Sequence, residues 1–145
     1  MRKLFFSFFL ALIVVGCAAP APQLLTPSGN PEVTIQGGTK KQVIDRIVNG
    51  LTAQGMKLKN VNDYGVTVTK RADDFASKFI YGSRRNSVPE LRMMFTVIES
   101  NNSSRVFAIA EMVTNPGTGD EHVSDVTADN RQDLQILLEN LKKSF

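Results

Sequence analysis

Tryptophan is absent from this chain of 145 residues, and cysteine and histidine occur once each. A single cysteine cannot close an internal disulfide, so a hydrophobic core alone has to hold the fold. A single histidine cannot build a histidine-based metal cluster, and neither metal nor cofactor is expected. Charge of one sign is scarce as well, with 17 basic residues against 14 acidic ones. Without Arg2 and Lys3, which belong to the leader argued next, the balance is 15 to 14. That leaves no broad basic footprint for nucleic acid. Long apolar runs are missing too. The longest, Leu4 to Val15, falls short of the roughly 20 residues a spanning helix needs.

What is present begins with that run. Met1-Arg2-Lys3 followed by an apolar stretch is the pattern of a signal peptide, expected to cover residues 1–16. The residues Val14-Val15-Gly16-Cys17 resemble the lipobox of bacterial prolipoproteins. The resemblance implies that the Cys17 thiol accepts diacylglycerol and that the amine freed by cleavage takes a further acyl chain such as palmitate. Each buried CH₂ contributes about 0.8 kcal/mol, so several chains anchor durably where one would not. Ala18 stands where an Asp would signal inner-membrane retention, which implies an outer-membrane lipoprotein facing the periplasm. Residues 17–31 hold prolines at 20, 22, 27 and 31 and read as an extended tether. At about 3.1 Å per residue it could hold a domain up to roughly 40 Å from the bilayer.

Residues 32–145 read as one periplasmic domain. Val33 and Ile35 alternate with polar neighbours in a short strand. Thr39 and Gln42 form a capping box ahead of a helix whose apolar stripe is Val43, Ile44, Ile47, Val48 and Leu51, stopped at Gly55. Two strands flank Asn62-Asp63-Tyr64-Gly65, and a longer hairpin spans 89–99 and 104–114 around Asn101-Asn102. One face of that hairpin carries Leu91, Met93, Phe95, Val97, Val106, Ala108, Ala110 and Met112. The other carries Met94, Ile98, Phe107, Ile109 and Val113, interrupted by Arg92 and Glu111. A one-sided sheet is more polar than that, so the second face should meet a covering segment, a pocket or a partner. Residues 115–125 read as a loop. A last helix follows, N-capped by Asp129, with Leu134, Leu137, Leu138, Leu141 and Phe145 as its stripe and Leu137 and Leu141 expected in the core. The expected fold is α+β, a small antiparallel sheet with two helices on one face, in the order β-α-β-β-(connector)-β-β-α.

That order, together with Gln54-Gly55-Met56-Lys57-Leu58, Tyr64-Gly65-Val66-Thr67-Val68, the Phe-rich stretch Phe75 to Gly82 and the leucine helix, resembles the helix-grip domains of the BamC family of outer-membrane barrel-assembly lipoproteins. The likeness covers about residues 39–143 and implies a helix-grip-like fold. This chain has one such domain, and its tether is much shorter than that family's.

No motif names a reaction, and no enzyme is expected. His122 lies near Ser124 and Asp125, but no strand-turn-helix nucleophile context accompanies them. Gly37-Gly38 precedes a helix without any phosphate-loop pattern. Asp73 to Ser87 is richer: Phe79, Tyr81, Arg84 and Arg85 combine apolar anchors with donors for carboxylate or phosphate, the composition of a docking surface. The same aromatics could instead plug one end of the core. The expected role is a lipid-anchored accessory module that docks on an envelope protein complex. The alternatives are a carrier of an apolar ligand in a helix-sheet groove, or an exclusion lipoprotein of a mobile element.

Overall fold

A computed structural model describes residues 26–71 and 88–145. Its elements are β1 (Glu32–Gln36), α1 (Lys40–Ala53), β2 (Lys57–Asn62), β3 (Gly65–Arg71), β4 (Glu90–Ser100), β5 (Ser103–Thr114), β6 (His122–Asp125) and α2 (Arg131–Lys142). The fold is α+β. The six strands make one antiparallel sheet in the order β1-β5-β4-β3-β2, and β6 pairs with the end of β5, on the edge that β1 uses nearer its start.

Local chemistry sets the element ends. The Thr39 hydroxyl accepts the Gln42 N–H at 3.3 Å, and the Gln42 side chain accepts the Thr39 N–H at 3.0 Å, which closes the capping box of α1. At the far end Gly55 takes φ +80°, a left-handed conformation open to glycine at little cost. The Met56 N–H then reaches the Leu51 carbonyl and the Gly55 N–H that of Thr52. Leu51 and Met56 are both buried, as the Schellman stop favours. Asn101 and Asn102 adopt φ of 41° and 64°, so a two-residue turn of the twist-matching kind joins β4 to β5.

The core lies between the helices and one sheet face. Val66, Val68, Met93, Phe95, Val97, Val106, Ala108 and Ala110 alternate inward, and α1 adds Val43, Ile44, Ile47 and Leu51 while α2 adds Leu134 and Leu138. Phe95 stands opposite Ala108 and Met93 opposite Ala110, so large and small side chains share each cross-strand pair. A polar clamp fastens α2 to β1. The Gln135 side chain accepts the Glu32 N–H and donates to the Glu32 carbonyl, both at 3.1 Å.

Four expectations need correction. Residues 26–31 are not extended tether: the Gly29 N–H meets the Thr26 carbonyl at 3.0 Å in a turn, and Pro31 is buried with its carbonyl accepting the Ala108 N–H at 3.1 Å. Residues 115–125 are not all loop, because His122–Asp125 forms β6 against Glu111–Thr114; the order therefore gains a strand before the last helix. Val123 is its single apolar residue, so no alternation marked it, and backbone pairing with β5 builds the strand. Asp129 does not cap α2. Asn130 is the cap residue, and its amide donates to the Val126 carbonyl at 2.8 Å rather than accepting from the helix. The buried stripe of α2 is narrower than its leucines suggest: Leu134 and Leu138 are buried, Leu137 and Leu141 half-buried, and Phe145 is 45% exposed. On the second sheet face, Val113 is fully buried.

Candidate functional site

Cys17 and the docking candidates Phe79, Tyr81, Arg84 and Arg85 lie outside the described residues. Within those residues two surfaces stand out, one on each side of the sheet.

The first is a groove of about 440 Å³ between α1 and α2. Ile47 and Leu51 of α1 and Ile136, Leu137 and Leu141 of α2 form its walls, with Phe95 from β4 among them. Arg46, Asn49, Gln54, Asp133, Asn140 and Ser144 supply its polar groups. The lining positions of α2 (133, 136, 137, 140 and 141) recur at helical spacing, with Ser144 just past its end, beside the buried stripe of Leu134 and Leu138. Gly50 contributes by omission. It lines the groove in mid-helix, and a Cβ there would meet nothing within 4 Å. Arg46 stacks its guanidinium 4.8 Å from the centre of the Phe145 ring, so it lies at the C-terminal end of α2 while Asp133 lies in that helix's first turn. A smaller cavity of about 180 Å³, lined by Leu91, Met93, Ala110 and Leu134, shares Asp133 and Leu137 with the groove. The sequence reading missed Arg46 and Gly50. A lone glycine inside an otherwise regular helical stripe was the available signal.

The second surface is the outer sheet face, which has two unlike halves. In one, Arg92 lies 3.3 Å from the Glu111 carboxylate and 3.1 Å from that of Glu121. Glu121 also accepts the Gly117 N–H at 2.8 Å, which brings the 115–121 loop to the strand residue Arg92. The Gly117 N–H, then Arg92, hold the Glu121 carboxyl below its usual range. In the other half Met94 pairs with Ile109 and Thr96 with Phe107, while Ile98 stands diagonal to Phe107. Ile98 is 52% exposed and Ile109 38%. Arg105 lies 4.5 Å over the Phe107 ring and 3.4 Å from Glu32. Met94 and Phe107 are half-buried, and among the described residues Ile98 and Ile109 stay open.

His122, Ser124 and Asp125 do not converge. Along β6 His122 and Ser124 share one face while Asp125 takes the other, and the Asp125 carboxylate accepts the Thr127 N–H at 2.7 Å. Thr127, through its side chain and then its backbone, keeps that carboxyl low. The N–H of Gly37 is engaged by the Asn102 carbonyl at 2.9 Å. Among the described residues no group of three or more His, Cys, Asp or Glu could hold a metal ion, and no helix is long and apolar enough to cross a membrane. No family model, curated protein or solved structure matches the chain.

Proposed function

We propose that this chain is a lipid-anchored accessory module of the outer membrane, facing the periplasm, which docks on an envelope protein complex and carries out no chemistry of its own. In this reading Cys17 bears the lipid, residues 17–25 are the spacer, with Thr26 to Pro31 folded onto the domain, and a helix-grip-like domain presents the docking surface. The observation that supports it is the outer-face strip of exposed Ile98 and Ile109 with half-buried Met94 and Phe107 between them. Side chains on adjacent strands make it contiguous, and Arg105 at its margin offers a directional donor; such an apolar patch with a polar rim is what a protein partner covers.

The test is site-specific photo-crosslinking in cells, with the probe at Ile98 and a control probe at Thr118 on the neighbouring loop. We expect a discrete protein adduct from position 98, none from 118, and loss of the adduct on Ile109→Glu with the melting temperature kept. Equal adducts from both positions, or an adduct indifferent to Ile109→Glu, would remove the strip from the proposal. A probe at Tyr81 tests the connector candidates in the same way.

A second reading, a carrier of an apolar ligand, is favoured by the interhelical groove, whose volume lies in the range of small-molecule sites.

A further inference from the structure

We infer that the groove between α1 and α2 takes a single-chain anionic amphiphile, such as a fatty acid, with its head at Arg46; this rests on the carrier reading. The walls and the charge distribution carry the argument. Ile47, Leu51, Phe95, Ile136 and Leu141 offer an elongated apolar surface, and the adjoining cavity beneath Asp133 and Leu137 extends it. A flexible chain follows such a course. A compact ring system would leave one end empty.

The ends of the groove differ in charge. At one end Arg46 is the basic residue that lines the groove; Lys40 lies 5.5 Å over the Tyr64 ring, and Lys142 lines a separate pocket beside Glu32 and Glu139. Lys41 is paired with Asp45, whereas Arg46 forms no ion pair within the described residues and rests on the Phe145 ring. At the other end Asp133 sits in the first turn of α2, roughly 14 Å along the helix from Lys142. An anionic head is attracted to the Arg46 end and repelled from the Asp133 end. The groove thus orients its ligand, head at Arg46 and tail beneath α2. Gly50 keeps the passage clear at a position where alanine would favour the helix by about 1 kcal/mol.

The experiment uses the full chain in phosphatidylcholine vesicles with a diazirine-bearing palmitate analogue and peptide mapping of the label. Label is expected on peptides spanning residues 46–54 and 133–141. Excess palmitate should compete about tenfold better than hexadecanol, as a charge-assisted contact at Arg46 requires. Arg46→Gln should erase that preference while labelling by a hexadecanol analogue persists. Gly50→Leu, which enters open space, should abolish labelling without lowering the melting temperature. Labelling of both peptides with equal competition by palmitate and hexadecanol overturns the anionic head but leaves an apolar carrier. Absence of label from both peptides, or label unchanged by Gly50→Leu, overturns the groove altogether. Label on basic surface peptides alone, lost in salt, assigns the contact to adsorption at a charged surface and overturns it too.

Discussion

Gly65 and Gly50 show how differently one residue type can be constrained. A Cβ at Gly65 would stand 1.8 Å from the Phe95 carbonyl oxygen, a backbone atom that cannot swing aside. The β3–β4 register places Gly65 opposite Thr96 there, and the strands approach closely because no side chain intervenes. Gly65→Ala should cost about 3 kcal/mol, the upper part of the range for overpacking. Gly50→Ala should instead raise stability by about 0.5–1 kcal/mol through helix propensity alone. Denaturant midpoints of the two variants should move in opposite directions; a shared direction would contradict one of the two environments. Neither difference was legible in the sequence, where Gly65 read as a turn residue and Gly50 carried no separate reading. Thr39, Gln42 and Gly55 were legible, because caps depend on local spacing and their partners lie within five residues.

Among the elements, legibility followed the same rule. The β4–β5 hairpin and α1 carry their own periodicity, and both formed where it lay. β6 and the start of α2 depend on partners distant in sequence. The side chain of Thr127 accepts the Ala110 N–H at 3.0 Å, and its neighbour Val126 donates to the Ala110 carbonyl at 2.9 Å. No local pattern announces such bonds. The 115–121 loop is a further case. Nothing in its Gly/Pro spelling reveals that Glu121 returns to Arg92. This contact sets a pH dependence. The Glu121 carboxyl is depressed in the folded protein, so its contribution is complete above the unfolded value of about 4.3 and is lost as pH falls through the lower folded value. Protection of the Gly117 amide should therefore hold from neutral pH down through the ordinary carboxylate range and fail only below it. Glu121→Gln should leave that amide weakly protected throughout and flatten the profile. A Gly117 amide as well protected in Glu121→Gln as in the wild type would show that something other than the carboxylate holds the loop.

For the whole molecule, the reading proposed above requires an anchored domain to reach its partner. The two candidate surfaces lie on opposite sides of one sheet, so a domain whose outer strip is docked still leaves the interhelical groove open. Docking and ligand binding are therefore compatible in one orientation. The anchor gives that arrangement its reach. In the reading proposed above, a prolyl spacer of residues 17–25 holds the domain within roughly 28 Å of the bilayer, and acyl chains contributing about 0.8 kcal/mol per buried CH₂ keep it there. Confinement to that layer raises the effective concentration of an envelope partner without adding a contact. Cys17→Ser should abolish metabolic palmitate labelling and leave uncleaved precursor. It should also eliminate the adduct from a probe at Ile98, because the protein no longer reaches the layer in which the partner sits. Palmitate label retained in Cys17→Ser would remove the anchor from the proposal. Loss of label with the Ile98 adduct intact would keep the anchor but show that the strip binds its partner without needing confinement at the membrane.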